Sequence, residues 1–113
     1  ETEFLKRIKQ TFEVGCLKHS RMAGRLIRKV ALCGGSGAFL LPDAVASGAD
    51  VFLTGEVKYH DYFFYDDRIL IAELGHYESE QYTKEIFNSI IREQFPTLEV
   101  KMTRVNTNPI KFL

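Results

Sequence analysis

The chain lacks an excess of charge: 15 basic residues balance 15 acidic ones across 113 positions. That balance argues against strong nonspecific attraction to nucleic acid or an anionic membrane surface, leaving only a local patch open. A long apolar run is also missing, since none approaches the ~20 residues that span a bilayer. No basic stretch followed by an apolar one opens the chain, so no secretory signal is expected. Cysteine is scarce. Cys16 and Cys33 can form one bridge at most, and both fall in strand-like segments. They are expected as buried free thiols of a cytoplasmic protein. There is no internal repeat, low-complexity segment or linker. The chain begins at Glu1 without an initiator Met. One domain over residues 1–113 is expected, itself a piece of something longer.

What is present suffices for a core. Apolar residues make up 45% of the chain, and a domain of this size buries roughly two-thirds of its unfolded surface. Phe4, Leu5, Ile8 and Phe12 form an apolar stripe on a helix over 3–12, with Thr2 as its cap. Residues 26–33, 50–54 and 69–74 read as strands, and 38–47, 58–65 and 76–94 as helices. The helix 76–94 carries Tyr82, Ile86, Phe87, Ile90 and Ile91 on one face. Residues 98–105 alternate as an outer strand. Strand and helix alternate with short, glycine-marked links. The expected class is therefore α/β: a mostly parallel or mixed sheet with helices on both faces, in three α/β/α layers.

In open α/β sheets, ligands gather beyond the C-terminal ends of the strands. Three such ends carry chemistry here: Cys33-Gly34-Gly35-Ser36-Gly37, Thr54-Gly55-Glu56, and Gly75-His76-Tyr77-Glu78-Ser79-Glu80. His76 and Glu80 stand four apart at a helix start, on one face. An imidazole and a carboxylate so placed can converge on a divalent cation at about 2.0–2.2 Å from each donor. The plain alternative is a helix N-terminus with acids favourable for its dipole. The glycine turn lacks the lysine of a phosphate-binding loop and departs from G-x-G-x-x-G. Ser36, Asp67 and His76 run in the order of an α/β-hydrolase triad, but that fold needs a much longer chain. Lys58 and His60 begin the next helix beside Glu56, and His60 could orient a ligand or move a proton. The aromatics Tyr59, Tyr62, Phe63, Phe64 and Tyr65 are too consecutive for all to enter a core, which points to association.

Taken together, several stretches form a pattern. They are Val30-Ala31-Leu32-Cys33-Gly34-Gly35-Ser36-Gly37, Gly48-Ala49-Asp50-Val51-Phe52-Leu53-Thr54-Gly55-Glu56-Val57-Lys58-Tyr59-His60, Gly75-His76-Tyr77 with Glu80, and Asn108-Pro109. In this order they resemble the C-terminal half of the GTP cyclohydrolase I type II homologues, the NGG-one-interacting-factor-three-like family. The resemblance implies half of a pseudo-symmetric two-half fold around a dinuclear metal site. His76 and Glu80 match two of its ligands. An adjacent His pair and an Asp come from the N-terminal half, which is absent here. It further implies a divalent metal (Zn, Mn or Fe), two ions per site in the full-length protein, for which this piece alone carries too few ligands. His60, Lys58, Ser36 and Glu56 would line the pocket. A homo-oligomer is implied for the full-length protein. The expected function is the C-terminal metal-binding domain of a protein with possible metal-dependent, cyclohydrolase-like hydrolase activity. The alternative is a non-enzymatic, metal-dependent assembly or regulatory module.

Overall fold

The apolar runs at 50–54 and 69–74 become the two central strands of a mixed sheet in the computed structural model, which describes residues 1–113. Glu1–Glu80 form one compact unit around that sheet, and Gln81–Leu113 form a second. In the first unit β1 (Lys18–His19), β2 (Val30–Cys33), β3 (Val51–Thr54) and β4 (Leu70–Glu73) lie in the order β1-β4-β3-β2. β1 is antiparallel to β4, whereas β4, β3 and β2 run parallel. Every residue of β3 and β4 is buried, as a parallel sheet covered on both faces requires.

Successive side chains of a strand point to opposite faces, and the core divides accordingly. Val51, Leu53, Leu70, Ala72 and Leu74 pack with Leu5, Phe4 and Ile8 of α1 (Thr2–Thr11). Phe52, Ile69 and Ile71 pack on the other side with Leu41 and Ala44 of α2 (Leu41–Ala46) and Tyr62 of α3 (Tyr59–Phe64). This is the α/β/α layering expected from the alternation. Phe52, at 1% exposed, contributes on the order of 2–3 kcal/mol by leaving water. The register pairs Cys33 with Thr54 and Thr54 with Glu73. The three parallel strands therefore end in one row, and the turns that follow leave at one edge.

Several expectations are corrected. The strand expected over 26–33 is only Val30–Cys33. The Arg28 and Lys29 N–H groups donate to the Asp50 carboxylate at 2.8 Å each, so they are spent on a side chain rather than a ladder. Between β2 and α2 the chain makes a 3₁₀ turn, Gly37–Leu40, and Pro42 sits in the first turn of α2. Thr2 is the first residue of α1 rather than its cap, and the Glu1 carbonyl accepts the Leu5 N–H. Cys16 is exposed and Cys33 half-buried, both free, so neither is the buried thiol expected. The helix expected over 76–94 is two: α4 (His76–Glu80) and α5 (Thr83–Gln94). The Tyr82 carbonyl, accepting the Glu85 and Ile86 N–H groups, starts the second.

In the second unit α5 buries no side chain. Of its expected core face, Ile86, Phe87 and Ile90 are 58%, 59% and 50% exposed, and Tyr82 and Ile91 are half-buried. The outer strand expected over 98–105 does not form. Its polar backbone groups find local partners instead: the Val100 carbonyl accepts the Arg92 guanidinium, and the Val105 N–H donates to Thr103 Oγ1. No helix of the chain is long and apolar enough to cross a membrane.

Candidate metal centre

β4 ends at Glu73, and three residues later α4 opens on His76. His76 Nε2 and Glu80 Oε2 stand 3.2 Å apart, the i, i+4 pairing that the spacing predicted. Glu56, just beyond the end of β3, places Oε1 3.0 Å from His76 Nδ1. Ser36, beyond the end of β2, donates its hydroxyl to Glu56 Oε2 at 2.5 Å. The four side chains thus form one line, Ser36–Glu56–His76–Glu80, fed by all three parallel strand ends.

Each link has a chemical consequence. Glu56 accepting from Nδ1–H sets the tautomer of a neutral ring and leaves the Nε2 lone pair toward Glu80. The Ser36 hydroxyl, and after it the His76 imidazole, hold the Glu56 carboxyl below the usual carboxylate range. His76, Glu56 and Glu80 are about half exposed. Even with the ring charged, pairs so wet are worth about 0–1 kcal/mol, so the fold does not need this cluster for stability.

Backbone fixes the line. The Gly75 N–H donates to the Gly55 carbonyl, and the Gly55 and Glu56 N–H groups both donate to the Gly35 carbonyl, each at 3.0 Å. Gly35 has φ +61°, and a Cβ there would stand 2.4 Å from Glu80 Oε1 and 3.3 Å from His76 Nε2. The absent side chain leaves a cradle against the two donor groups. A borderline-soft divalent cation takes one imidazole nitrogen and one carboxylate oxygen readily, so these residues fit a metal. They fit part of a site: no group of three or more His, Cys, Asp or Glu side chains is arranged to hold a metal ion.

A cavity of about 730 Å³ adjoins the line and is bordered by Ser36, Glu56, Lys58, Phe39, Tyr65 and Glu73. Glu73, 5% exposed, accepts the Tyr62 hydroxyl at 2.7 Å and pairs with Lys18. Burial, and then the adjacent Glu73 carboxylate, push the Tyr62 phenol well above its usual pKa. Ser36, Glu56 and Lys58 line this cavity. His60 stands apart, exposed, with its ring edge-on to Tyr59 at 5.5 Å between centroids. Two features escaped the reading of the sequence. The Tyr62–Glu73–Lys18 group depends on pairing between distant segments. Ser79, three residues after His76, donates to the His76 carbonyl at 2.8 Å. A serine at that spacing was the available signal.

A mixed α/β sheet whose aligned strand ends bring an imidazole and two carboxylates together at one edge is the class that this fold and site define. The chain belongs to the Duf34/NIF3 (NGG1p interacting factor 3) family, whose model matches residues 1–109. It is 34% identical over 118 residues to the GTP cyclohydrolase 1 type 2 homolog of Halalkalibacterium halodurans, covering 98% of this chain and 31% of that protein. Its namesake in Staphylococcus aureus (strain MSSA476) is 30% identical over the same shares. The solved structure of Staphylococcus aureus protein SA1388 superposes with a TM-score of 0.82 at 24% identity, over 98% of this chain and 38% of that one. The family expected from the motifs is the family found. The chain spans about a third of the length of the curated relatives it matches.

Proposed function

We propose that this chain supplies the C-terminal donors, His76 and Glu80, of a dinuclear metal centre in a longer protein with metal-dependent, hydrolase-like activity. The observation that carries the reading is the 3.2 Å approach of His76 Nε2 to Glu80 Oε2 beside the Gly35 cradle. Glu56 orients the imidazole, and Ser36 orients Glu56. Lys58 stands at the mouth of the adjoining cavity as the cation for an anionic substrate group. The remaining ligands come from an N-terminal half of the same protein. Zn, Mn or Fe suits the donor set, and when bound such ions supply Lewis acidity and a water acidified toward neutral pH. The full-length protein is a homo-oligomer on this reading, and the two unpaired thiols suit a cytoplasmic setting.

Metal titration of the protein as encoded by its gene tests the assignment. His76→Ala is expected to lose bound Zn, Mn or Fe relative to wild type. Equal stoichiometry in both removes the metal assignment.

One observation favours a second reading, a non-enzymatic assembly or regulatory module. On α3, Tyr59, Phe63 and Phe64 are 71%, 66% and 66% exposed, while Tyr62 turns inward. On this reading Tyr59→Ser with Phe63→Ser changes the oligomeric state by light scattering. An unchanged mass leaves those aromatics without that role. A rate that requires both His76 and metal favours the first reading.

A further inference from the structure

Three turns leave the sheet at the site edge, and one hydroxyl reaches all of them. Ser79 Oγ accepts the Gly35 N–H at 2.9 Å, in the turn after β2. It donates to the His76 carbonyl at 2.8 Å, in the turn after β4. A Cβ placed on Gly55, in the turn after β3, would stand 2.7 Å from that oxygen. A serine hydroxyl has one proton to give and two lone pairs to receive with. Here the proton goes to the residue that carries the imidazole, and a lone pair goes to the residue that forms the cradle.

The helix this oxygen holds is tied at its start by the Gly75 N–H to Gly55 and the Ser79 N–H to Gly75 bonds, which leave its own packing to be explained. α4 is five residues long and buries no side chain. So short a helix is marginal on its own, and hydrophobic contact does not supply the difference. His76 and Glu80 nonetheless need a definite aim, because two half-exposed side chains converge on one point only if their backbone is fixed. The bond from a serine to the carbonyl three residues back is a common local habit. What is uncommon is that the same oxygen also binds a turn 44 residues away in sequence.

The geometry points to Ser79 as a positioning residue for the metal-binding pair, locking the opening turn of α4 onto the glycine turn so that Nε2 and the Glu80 carboxylate face the Gly35 cradle. The inference rests on the metal-centre reading above. Losing groups that orient metal ligands typically costs roughly 10- to 100-fold in metal affinity. Ser79→Ala is expected to weaken Zn binding within that range and to shift the visible absorption of the Co-substituted protein. Ser79→Thr, which restores the hydroxyl, is expected to return both toward wild type. The protein used is the one its gene encodes, with His76→Ala measured alongside. If His76→Ala abolishes binding while Ser79→Ala keeps wild-type affinity and Co spectrum, Ser79 does not position the pair. If His76→Ala also binds as wild type, the metal reading itself falls and takes this inference with it. A thermal melt of each apo variant separates misfolding from misplacement. Should Ser79→Ala fail to fold, Ser79→Val, the shape of Ser79→Thr without its hydroxyl, is read against Ser79→Thr by the same affinity and spectrum and decides in the same way.

Discussion

In Glu1–Glu80 the apolar runs of β3 and β4 are buried to the last residue, whereas in Gln81–Leu113 Ile86, Phe87 and Ile90 on the apolar stripe of α5 stay at least half exposed. Both were equally plain as patterns. A strand inside a parallel sheet brings its partners with it, since neighbours flank it and helices cover each face. A single amphipathic helix followed by irregular chain has nothing comparable within its own unit. A period of 3.6 or 2 states that a face seeks burial and does not say what will bury it.

The sharpest way to break this contrast is to truncate one side chain in each unit. Phe52→Ala is expected to cost about 3–5 kcal/mol, because it opens a cavity between β3 and the layer of α2 and α3. Ile90→Ala, on the exposed stripe, is expected to stay within about 0.5 kcal/mol. Denaturant melts of the two variants measure the difference, and a comparable loss for Ile90→Ala would show that its face is covered in solution. A smaller effect is expected from Gly35→Ala. Its left-handed backbone makes a Cβ cost about 1–2 kcal/mol. Glu80 Oε1, 2.4 Å from that Cβ, is the far end of a flexible side chain and can swing aside. Stability should therefore fall modestly while metal affinity falls roughly tenfold or more. Calorimetric titration beside a melt reads both, and unchanged affinity would detach the cradle from the centre.

The smallest effect concerns the short β2. The Arg28 and Lys29 N–H groups hold the Asp50 carboxyl below its usual pKa. A carboxyl depressed by folding stabilises above its unfolded pKa, and that contribution is lost as pH falls through the folded value. The carboxyl carbon of Asp50, followed by NMR, is expected to titrate below the roughly 3.9 of an unperturbed aspartate. The Arg28 and Lys29 amide shifts should move with it. A midpoint at or above the ordinary value would remove the clamp as the reason β2 starts at Val30.

Much of the first unit was legible because its signals are local or additive. Continuous apolar runs marked β3 and β4, and glycine turns marked their ends. The His76–Glu80 spacing needed only helix geometry. What was hidden depends on strand order. Glu56 reaches His76, and Ser79 reaches Gly35, only because β2, β3 and β4 are neighbours in parallel. No spacing within the chain encodes a contact between turns that far apart. Cys33 looked like core and is half-buried because β2 lies at the sheet edge. Residues 98–105 looked like a strand, but alternation alone forms no ladder, and their backbone groups are met locally by Arg92 and Thr103.

The shared row of Cys33, Thr54 and Glu73 sets how this protein tolerates added residues. Neighbouring strands lie about 4.8 Å apart, and each residue advances a strand by about 3.3 Å while reversing its face. One extra residue inserted just before Gly34, Gly55 or Gly75 pushes that turn out of line and swings its side chain away from the other two. Lengthening the chain between α3 and β4 leaves the row untouched. Insertion tolerance, mapped along the gene, would therefore trace the three strand ends as sharply as any map of conserved side chains.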